Sequence, residues 1–395
     1  MQVIITADQH KGKRGYRGAD LELPALWYEI DDALARAHVT GNGGYELSGF
    51  NRWPDFMKSA LRLSGEKTLG ELNLLAGQIS RMNETQLGAY EGIVKLRQDS
   101  DIDHPASTKE LINAAYNVDS FEFHPGVVND YNLGSICLQG EMLDLIQDLP
   151  DEVYELLDEE KVGAALRKSD QGVFTSQGYV YRSSKDWQEV YDGVLLRQQT
   201  DSHSGLISLR LKTMDSNPDR DEGVWLELPA DEQAMHWALI SLGENTFDTC
   251  YIAKAKGILP SLEYQIAGDE DIGKLNTLAE RIQAFPDNRT LAKYKAVLEL
   301  EVCSDLDMEL DIAENLDCYD YDPVILSPEA YAEYLLQEAG FDADDPAFSG
   351  FDFRDYGERH LQRVGYVPTP YGSIARNEKP FVPEYTKPEP GMTMQ

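Results

Sequence analysis

The sequence predicts an α+β fold assembled from small modules, and three observations point there. Short stretches of strand-like alternation are interspersed with helical windows whose apolar residues fall on one face. Hydrophobic residues make up 42% of the chain and aromatic residues 10%, with 21 tyrosines, enough to build packed cores. The chain also repeats itself. Leu21-Glu22-Leu23-Pro24 recurs as Leu226-Glu227-Leu228-Pro229, with Gly18 and Gly223 three residues before each. Leu72-Asn73-x-Leu75-Ala76-x-x-Ile79 recurs as Leu275-Asn276-x-Leu278-Ala279-x-x-Ile282. Asn117-x-Asp119-x-Phe121-x-Phe123-x-Pro125 recurs as Asn315-x-Asp317-x-Tyr319-x-Tyr321-x-Pro323. Gly163, Thr175, Gly178 and Arg182 match Gly357, Thr369, Gly372 and Arg376 at one offset of 194 residues. Four blocks in the same order, with offsets drifting only from 205 to 194, predict a tandem duplication with copies near 1–184 and 205–378. At 395 residues, length alone suggests two or three domains.

Each copy divides into three modules: 1–63, 64–106 and 107–184 in the first, 205–267, 268–299 and 300–378 in the second. The first module opens with a strand (Val3–Thr6; Leu206–Leu211), a turn and a second strand ending in the Leu-Glu-Leu-Pro block. A helix over about 25–37 and 230–242 and further extended segments follow. Trp53, Phe56 and Met57 read as core. The second module is helical. Thr68-Leu-Gly-Glu71 fits a capping box, in which hydroxyl and carboxylate satisfy backbone donors at a helix start. Leu72, Leu75, Ala76 and Ile79 then share a face, and a second helix covers Glu84–Leu96. In the second copy Asp271 is the cap and Lys274 replaces the glutamate. The third module begins near Thr108 and near Leu300 and holds a strand in which Tyr319 and Tyr321 alternate with Asp320 and Asp322. Ser327-Pro328-Glu329 then starts a helix with a hydroxyl cap, a proline in the first turn and an acid at the positive end. A shorter helix covers Phe353–Arg363, and Gly365–Arg376 forms an extended pair around Pro370-Tyr-Gly. Residues 185–204 link the copies, with a short helix around Trp187–Leu196. Residues 379–395, with Pro380, Pro383, Pro388 and Pro390, form a flexible tail.

Charge is the strongest compositional signal. The chain carries 70 Asp and Glu against 35 Lys and Arg, a net charge of −35. Residues 1–200 hold 19 basic and 32 acidic residues and 201–395 hold 16 and 38, so the halves carry −13 and −22. Such a balance argues against binding nucleic acid or an anionic membrane and for a strongly basic partner. Cys137, Cys250, Cys303 and Cys318 are scattered, with no CxxC and no secreted framework. Met1 opens straight into a strand-like pattern, and no apolar run approaches membrane length, so a cytoplasmic location is expected.

Catalytic signatures are missing from the sequence. There is no GxGxxG after a strand, no GxxxxGK[ST], no HExxH and no GxSxG. The seven histidines are isolated. The best metal candidate, Asp305-x-Asp307-x-Glu309-x-Asp311, has Leu310 where a calcium loop needs glycine and extends an amphipathic helical pattern. No catalytic residue, metal ligand or cofactor is therefore assigned, and the expectation is a protein that is not an enzyme.

The chain is organised around Glu299–Asp322, which holds ten carboxylates and no Lys or Arg. Val302, Leu306, Met308, Leu310, Ile312 and Leu316 interleave with the acids, so a folded element carries the charge. Two readings compete: a solvated acidic face, or a binding surface standing in for a polyanion. An evenly acidic surface suited to high salt is a further alternative, as is an interaction module for some other basic partner.

Several stretches carry a resemblance to the ArdA-type antirestriction proteins, which are borne on mobile genetic elements and mimic DNA. In the first copy they are Gly15–Pro24, Tyr45–Pro54 and Thr68-Leu-Gly-Glu-Leu-Asn-Leu-Leu. In the second they are Leu316-Asp-Cys-Tyr-Asp-Tyr-Asp, Tyr331–Gly340, Phe351-Asp-Phe-Arg-Asp-Tyr-Gly-Glu and Tyr371-Gly-Ser-Ile. The resemblance implies three small modules per copy in an elongated arrangement, and a partner that is the DNA-recognition and methyltransferase part of a type I restriction–modification enzyme. Family members are typically one copy long and pair as homodimers. Here the duplication implies a monomer whose two copies supply both arms. The phosphate-mimicking acids would be Glu301, Asp305, Asp307, Glu309, Asp311, Glu314, Asp317, Asp320 and Asp322. With them would stand Asp342, Asp344, Asp345, Asp352, Asp355 and Glu358, and in the first copy Asp148, Asp151, Glu152, Glu155, Asp158, Glu159 and Glu160. The first copy departs from the second by Phe121, Phe123 and His124 where the second has Tyr319, Tyr321 and Asp322.

Overall fold

The computed structural model of the protein describes residues 1–41, 43–100, 103–140, 150, 153, 156–183, 185–194, 205–215, 222–259, 270–303 and 305–386. Helices and short antiparallel sheets are mixed along the chain, the α+β class that the sequence predicts. The first sheet has the order β2-β1-β3, from β1 (Gln2–Ala7), β2 (Ala19–Glu22) and β3 (Tyr45–Asn51). Contacts divide the chain into two units. Unit 1 comprises Met1–Ile4, Glu22–Ala25 and Leu47–Gln199, and unit 2 comprises Ile5–Leu21, Leu26–Glu46 and Thr200–Gln395.

In unit 1, α2 (Asp55–Leu63) buries Met57, Ala60 and Leu61, and the Trp53 indole donates to the Gln2 carbonyl at 3.0 Å. The Thr68 capping box starts α3 (Leu69–Ile79), whose apolar stripe is buried. Asn73 on this helix reaches back to Ala25, accepting from its N–H at 2.6 Å and donating to its carbonyl at 2.8 Å. Helix α4 (Glu84–Ser100) follows, and the buried Tyr90 hydroxyl donates to the carbonyl of Leu111 on α5 (Thr108–Tyr116). The third module is a sheet of order β4-β6-β5 (Phe121–Pro125, Gly178–Arg182, Val173–Phe174) beside two helices, α6 (Asp130–Gly140) and α7 (Glu159–Asp170). These helices touch backbone to backbone. A Cβ on Gly134 would lie 1.7 Å from the Glu159 carbonyl oxygen, so only glycine fits there.

Unit 2 carries a second run of similar elements. Its first sheet is β8-β7-β9 (Val224–Leu228, Ile207–Thr213, Cys250–Gly257), with Leu209 opposite Leu226. Then come α8 (Glu232–Leu242), α9 (Ile272–Gln283), α10 (Asn288–Leu300) and α11 (Leu306–Glu314). Asp231, Asp271, Asp287 and Asp305 cap them in that order, each accepting a backbone N–H. Asn276 bonds both backbone groups of Ala230, and the Tyr294 hydroxyl donates to the Glu309 carbonyl at 3.0 Å. The last sheet is β10-β12-β11 (Tyr319–Asp322, Gly372–Arg376, Val367–Thr369), flanked by α12 (Pro328–Glu338) and α13 (Phe353–Arg363). A Cβ on Gly357 of α13 would meet the Pro328 carbonyl oxygen at 1.9 Å. One continuous core joins Leu209, Leu228, Leu275, Leu278, Tyr294, Val297, Leu310 and Ile374.

Helix α1 (Trp27–Arg36) also belongs to unit 2 and buries Tyr28, Asp32 and Ala33 there. Asp32 receives the Lys295 ammonium at 2.5 Å, the Tyr371 hydroxyl at 2.9 Å and the Arg36 Nε at 2.8 Å. Burial alone would raise this carboxyl, but Lys295 and Arg36 outweigh it and hold it below the usual range.

Two expectations for the connecting segments differ from what is found. No helix forms over 187–194; the chain there is irregular, with a bend at Gly193 and Val194. Its backbone groups are taken by side chains instead. Asn113 accepts from the N–H of Val190 and of Tyr191 and donates to the Tyr191 carbonyl, and Asn117 bonds both backbone groups of Gln188. The tail expected from 379 onward is likewise seated on unit 2 as far as Thr386. Asn315 bonds both backbone groups of Val382, and Phe381 and Tyr385 pack against the core. Residues 387–395 lie outside the described residues, as do 195–204.

Candidate partner-binding surface

The acidic run from Glu299 folds as the end of α10, the helix α11, a single 3-10 turn and β10. A helix spreads its residues round the axis, so the carboxylates do not share one face. Asp305, Asp317 and Asp320 are exposed, while Asp307, Glu301 and Asp322 are half-buried. Two of the expected phosphate mimics are core residues. Glu309 is 2% exposed and Asp311 is fully buried, so neither presents charge to a partner.

The expectation that this run lacks balancing cations also changes in three dimensions. Lys274 pairs with Asp307 at 2.5 Å, Arg281 with Glu314 at 2.6 Å and Lys379 with Asp317 at 3.2 Å. Glu301 accepts the Tyr319 hydroxyl at 2.7 Å and lies 3.7 Å from Arg376. These cations come from other elements, which is why a local reading of charge missed them. Most pairs are solvent-facing and contribute little to stability, so they trim the negative field more than they hold the fold.

Asp311 is a structural acceptor. Its Oδ1 takes the N–H of Glu384 at 2.6 Å and of Tyr385 at 2.9 Å, and its Oδ2 takes the N–H of Thr386 at 2.9 Å and the Thr386 hydroxyl. Burial works to raise this carboxyl, and the four donors more than offset it, so it sits below the usual range. Glu309 is its opposite. One carboxyl oxygen has no hydrogen-bond partner, and burial, with Asp305 and Glu270 beside it, pushes the group up to about 7.

The remaining acids of unit 2 are more open. Asp342, Asp344, Asp345, Asp352, Asp355 and Glu358 are all exposed. Asp345 and Asp352 also cap helices, accepting from Ala347 and Asp355 N–H. Asp344 pairs with Arg14, Asp355 with Arg359 and Glu358 with Arg354. In unit 1, Asp158 caps α7 and Glu160 is exposed in its first turn, with Glu159 half-buried between them. Asp148, Asp151, Glu152 and Glu155 lie outside the described residues.

Among the described residues no group of three or more His, Cys, Asp or Glu side chains is placed to hold a metal ion. The four cysteines are buried thiols that form no disulfide among the described residues. No described helix is long and apolar enough to cross a membrane. No family model and no curated protein matches this chain.

Sequence reasoning missed the seated segments at 185–192 and 379–386. A signal was present: Asn113 and Asn117 recur as Asp311 and Asn315, and Tyr191 and Tyr385 stand at the same 194-residue offset as Gly163 and Gly357.

Proposed function

We propose that this chain is an antirestriction protein: an acidic mimic of DNA that occupies the DNA-binding cleft of a type I restriction–modification enzyme. The observation that carries this reading is the stretch between Lys295 and Arg354, which contains no Lys or Arg and presents exposed carboxylates at Asp305, Asp317, Asp320, Asp342, Asp344, Asp345 and Asp352. The net charge of −35 matches roughly 60 Å of duplex, at about one charge per 1.7 Å. A cleft lined with Lys and Arg for phosphates would accept such a surface and release counterions as it does with DNA. The protein acts by occupancy and needs no chemistry of its own. We read its halves as tandem copies of one ancestral module set. The Asn73 and Asn276 contacts, the Tyr90 and Tyr294 hydroxyl bonds, and the Asn117 and Asn315 anchors support that reading.

The test is competition for a type I methyltransferase core. The purified protein should displace duplex DNA, with an affinity that falls steeply as salt rises, and should not itself bind DNA. Simultaneous binding of DNA and this protein to one enzyme, or binding indifferent to salt, sinks the proposal.

A further inference from the structure

Unit 2 has a groove of about 530 Å³ beside the acidic strand β10. Its floor is one stripe of α12, namely Ala330, Tyr331, Tyr334 and Gln337, and its wall is Val324, Ile325 and Leu326. The Tyr331 and Tyr334 rings are stacked, with centroids 6.3 Å apart and planes 20° apart. Tyr334 is 54% exposed and Val324 70%, so apolar surface lies open to solvent. Asp322 and Glu333 also line it, with Lys13 as the one basic residue among the described lining residues.

The same unit shows what chemistry such a combination accepts. Arg14 lays its guanidinium 4.1 Å over the Phe353 ring while pairing with Asp344 and reaching to 3.8 Å from Glu333. Arg376 stands over Phe381 at 5.2 Å with Glu301 beside it. Aromatic face plus carboxylate is thus filled twice by arginine within unit 2. The α12 groove has the same two components, and among the described residues no arginine lines it.

Unit 1 has a groove of about 320 Å³ that also holds stacked tyrosines, Tyr179 and Tyr181, and an acid, Asp170, which already takes the Tyr179 hydroxyl. At the positions 198 residues before Asp322, Tyr331 and Tyr334, unit 1 has His124, Leu133 and Ile136.

We propose that the α12 groove binds an arginine-bearing protein segment with apolar residues between its cations. Guanidinium planes lie on Tyr334 and Tyr331, their charges meet Asp322 and the Glu333 carboxylate that Arg14 also approaches, and aliphatic side chains cover Val324 and Ile325. This rests on the antirestriction reading and names the partner chemistry for one part of that surface. DNA offers no such apolar contact, so the groove gives a component of binding that salt does not screen.

The test uses the full-length protein and a synthetic dodecapeptide of alternating Arg and Leu, with a Lys-for-Arg version as control, at about 0.15 M salt. The Arg peptide should bind at least about fivefold more tightly than the Lys peptide, because guanidinium stacks on aromatic faces better than ammonium. Tyr334→Ser and Val324→Ser, both at exposed positions that leave net charge unchanged, should each weaken it about tenfold or more, with circular dichroism unchanged. Absence of binding, equal binding of the two peptides, or wild-type affinity in both variants overturns the proposal. The two readings fail separately. A wild-type protein that binds the peptide but never displaces DNA overturns the antirestriction reading alone. Variants that bind the peptide normally overturn the groove alone.

Discussion

The fourth residue of α5 is Leu111 and the fourth residue of α11 is Glu309. Both are buried, and each gives its carbonyl to a buried tyrosine hydroxyl, Tyr90 in one case and Tyr294 in the other. Two residues on, Asn113 and Asp311 do one job as well: each seats an irregular segment by accepting its backbone N–H groups. Unit 1 fills these two places with an aliphatic and an amide side chain, unit 2 with two carboxyls. The two units therefore hold different chemistry at these positions, and each acid of unit 2 is accommodated by different physics. Asp311 is tolerated because four donors satisfy it. Glu309 is tolerated because burial raises its carboxyl to about 7, so it keeps its proton below that pH. Acidity in unit 2 has thus reached beyond the surface that would meet a partner.

The largest expected effect that sharpens this contrast is Asp311→Ala. It strips the acceptor from three partly buried N–H groups and a hydroxyl, and should destabilise unit 2 by about 3–5 kcal/mol. Urea unfolding together with proteolysis near Thr386 would register it. Asn113→Ala should cost less, about 2–4 kcal/mol, because no charge is involved. Equal stability of the Asp311 variant and the wild type would mean that the 380–386 segment is not held by this residue.

Next in size is a pH effect at Glu309. Its folded-state value of about 7 lies above the ordinary 4.5, so its stabilising contribution is full below the ordinary value. It is lost as pH rises to about 7, roughly 3 kcal/mol in all. Glu309→Leu, which copies Leu111, should flatten unit 2 stability between pH 4.5 and 7 and raise it at pH 8. Asp311 has the opposite sign: its carboxyl is lowered, so its contribution is present above the ordinary value and is lost as pH falls through the folded one. Denaturant midpoints across pH for the two single variants separate the signs, and a pH-independent difference between wild type and Glu309→Leu breaks the comparison.

A smaller effect is expected at the capping box. Thr68→Ala should cost about 1 kcal/mol in unit 1, read as a shift in the urea midpoint. The smallest is at the surface. Asp317→Asn and Asp320→Asn should each change stability by less than about 0.5 kcal/mol, while weakening enzyme inhibition if these acids face the partner. A variant that unfolds here would move them from display to structure.

Much of the frame was legible in the sequence because it is written in local terms. The Leu-Glu-Leu-Pro strands, the Thr68 box, the Leu72–Ile79 stripe and the Ser327-Pro328 helix start each depend on neighbours within a few residues. The candidate surface was less legible because exposure is not local. Glu309 and Asp311 sit in the same acid-rich run as Asp305 and Asp317, and composition cannot say which of them turn inward. The cations Lys274 and Arg281 lie 33 residues before their partners Asp307 and Glu314, beyond any window of charge patterning. The seated segments escaped notice for a related reason. They have no periodicity of their own and are held by side chains of other elements.

The placement of Asp32 has a practical corollary for anyone cutting this chain. A fragment starting at Thr200 omits Ile5–Leu21 and Leu26–Glu46, which fold with it. It leaves the Lys295 ammonium and the Tyr371 hydroxyl without the carboxylate they share. Such a fragment carries an uncompensated cation beneath a surface stripped of α1. Two polypeptides, 1–199 and 200–395, produced together should therefore reassociate and be recovered as one species, whereas the second produced alone should be poorly soluble. In this protein the gene's halfway point is a seam in the chain and not in the core.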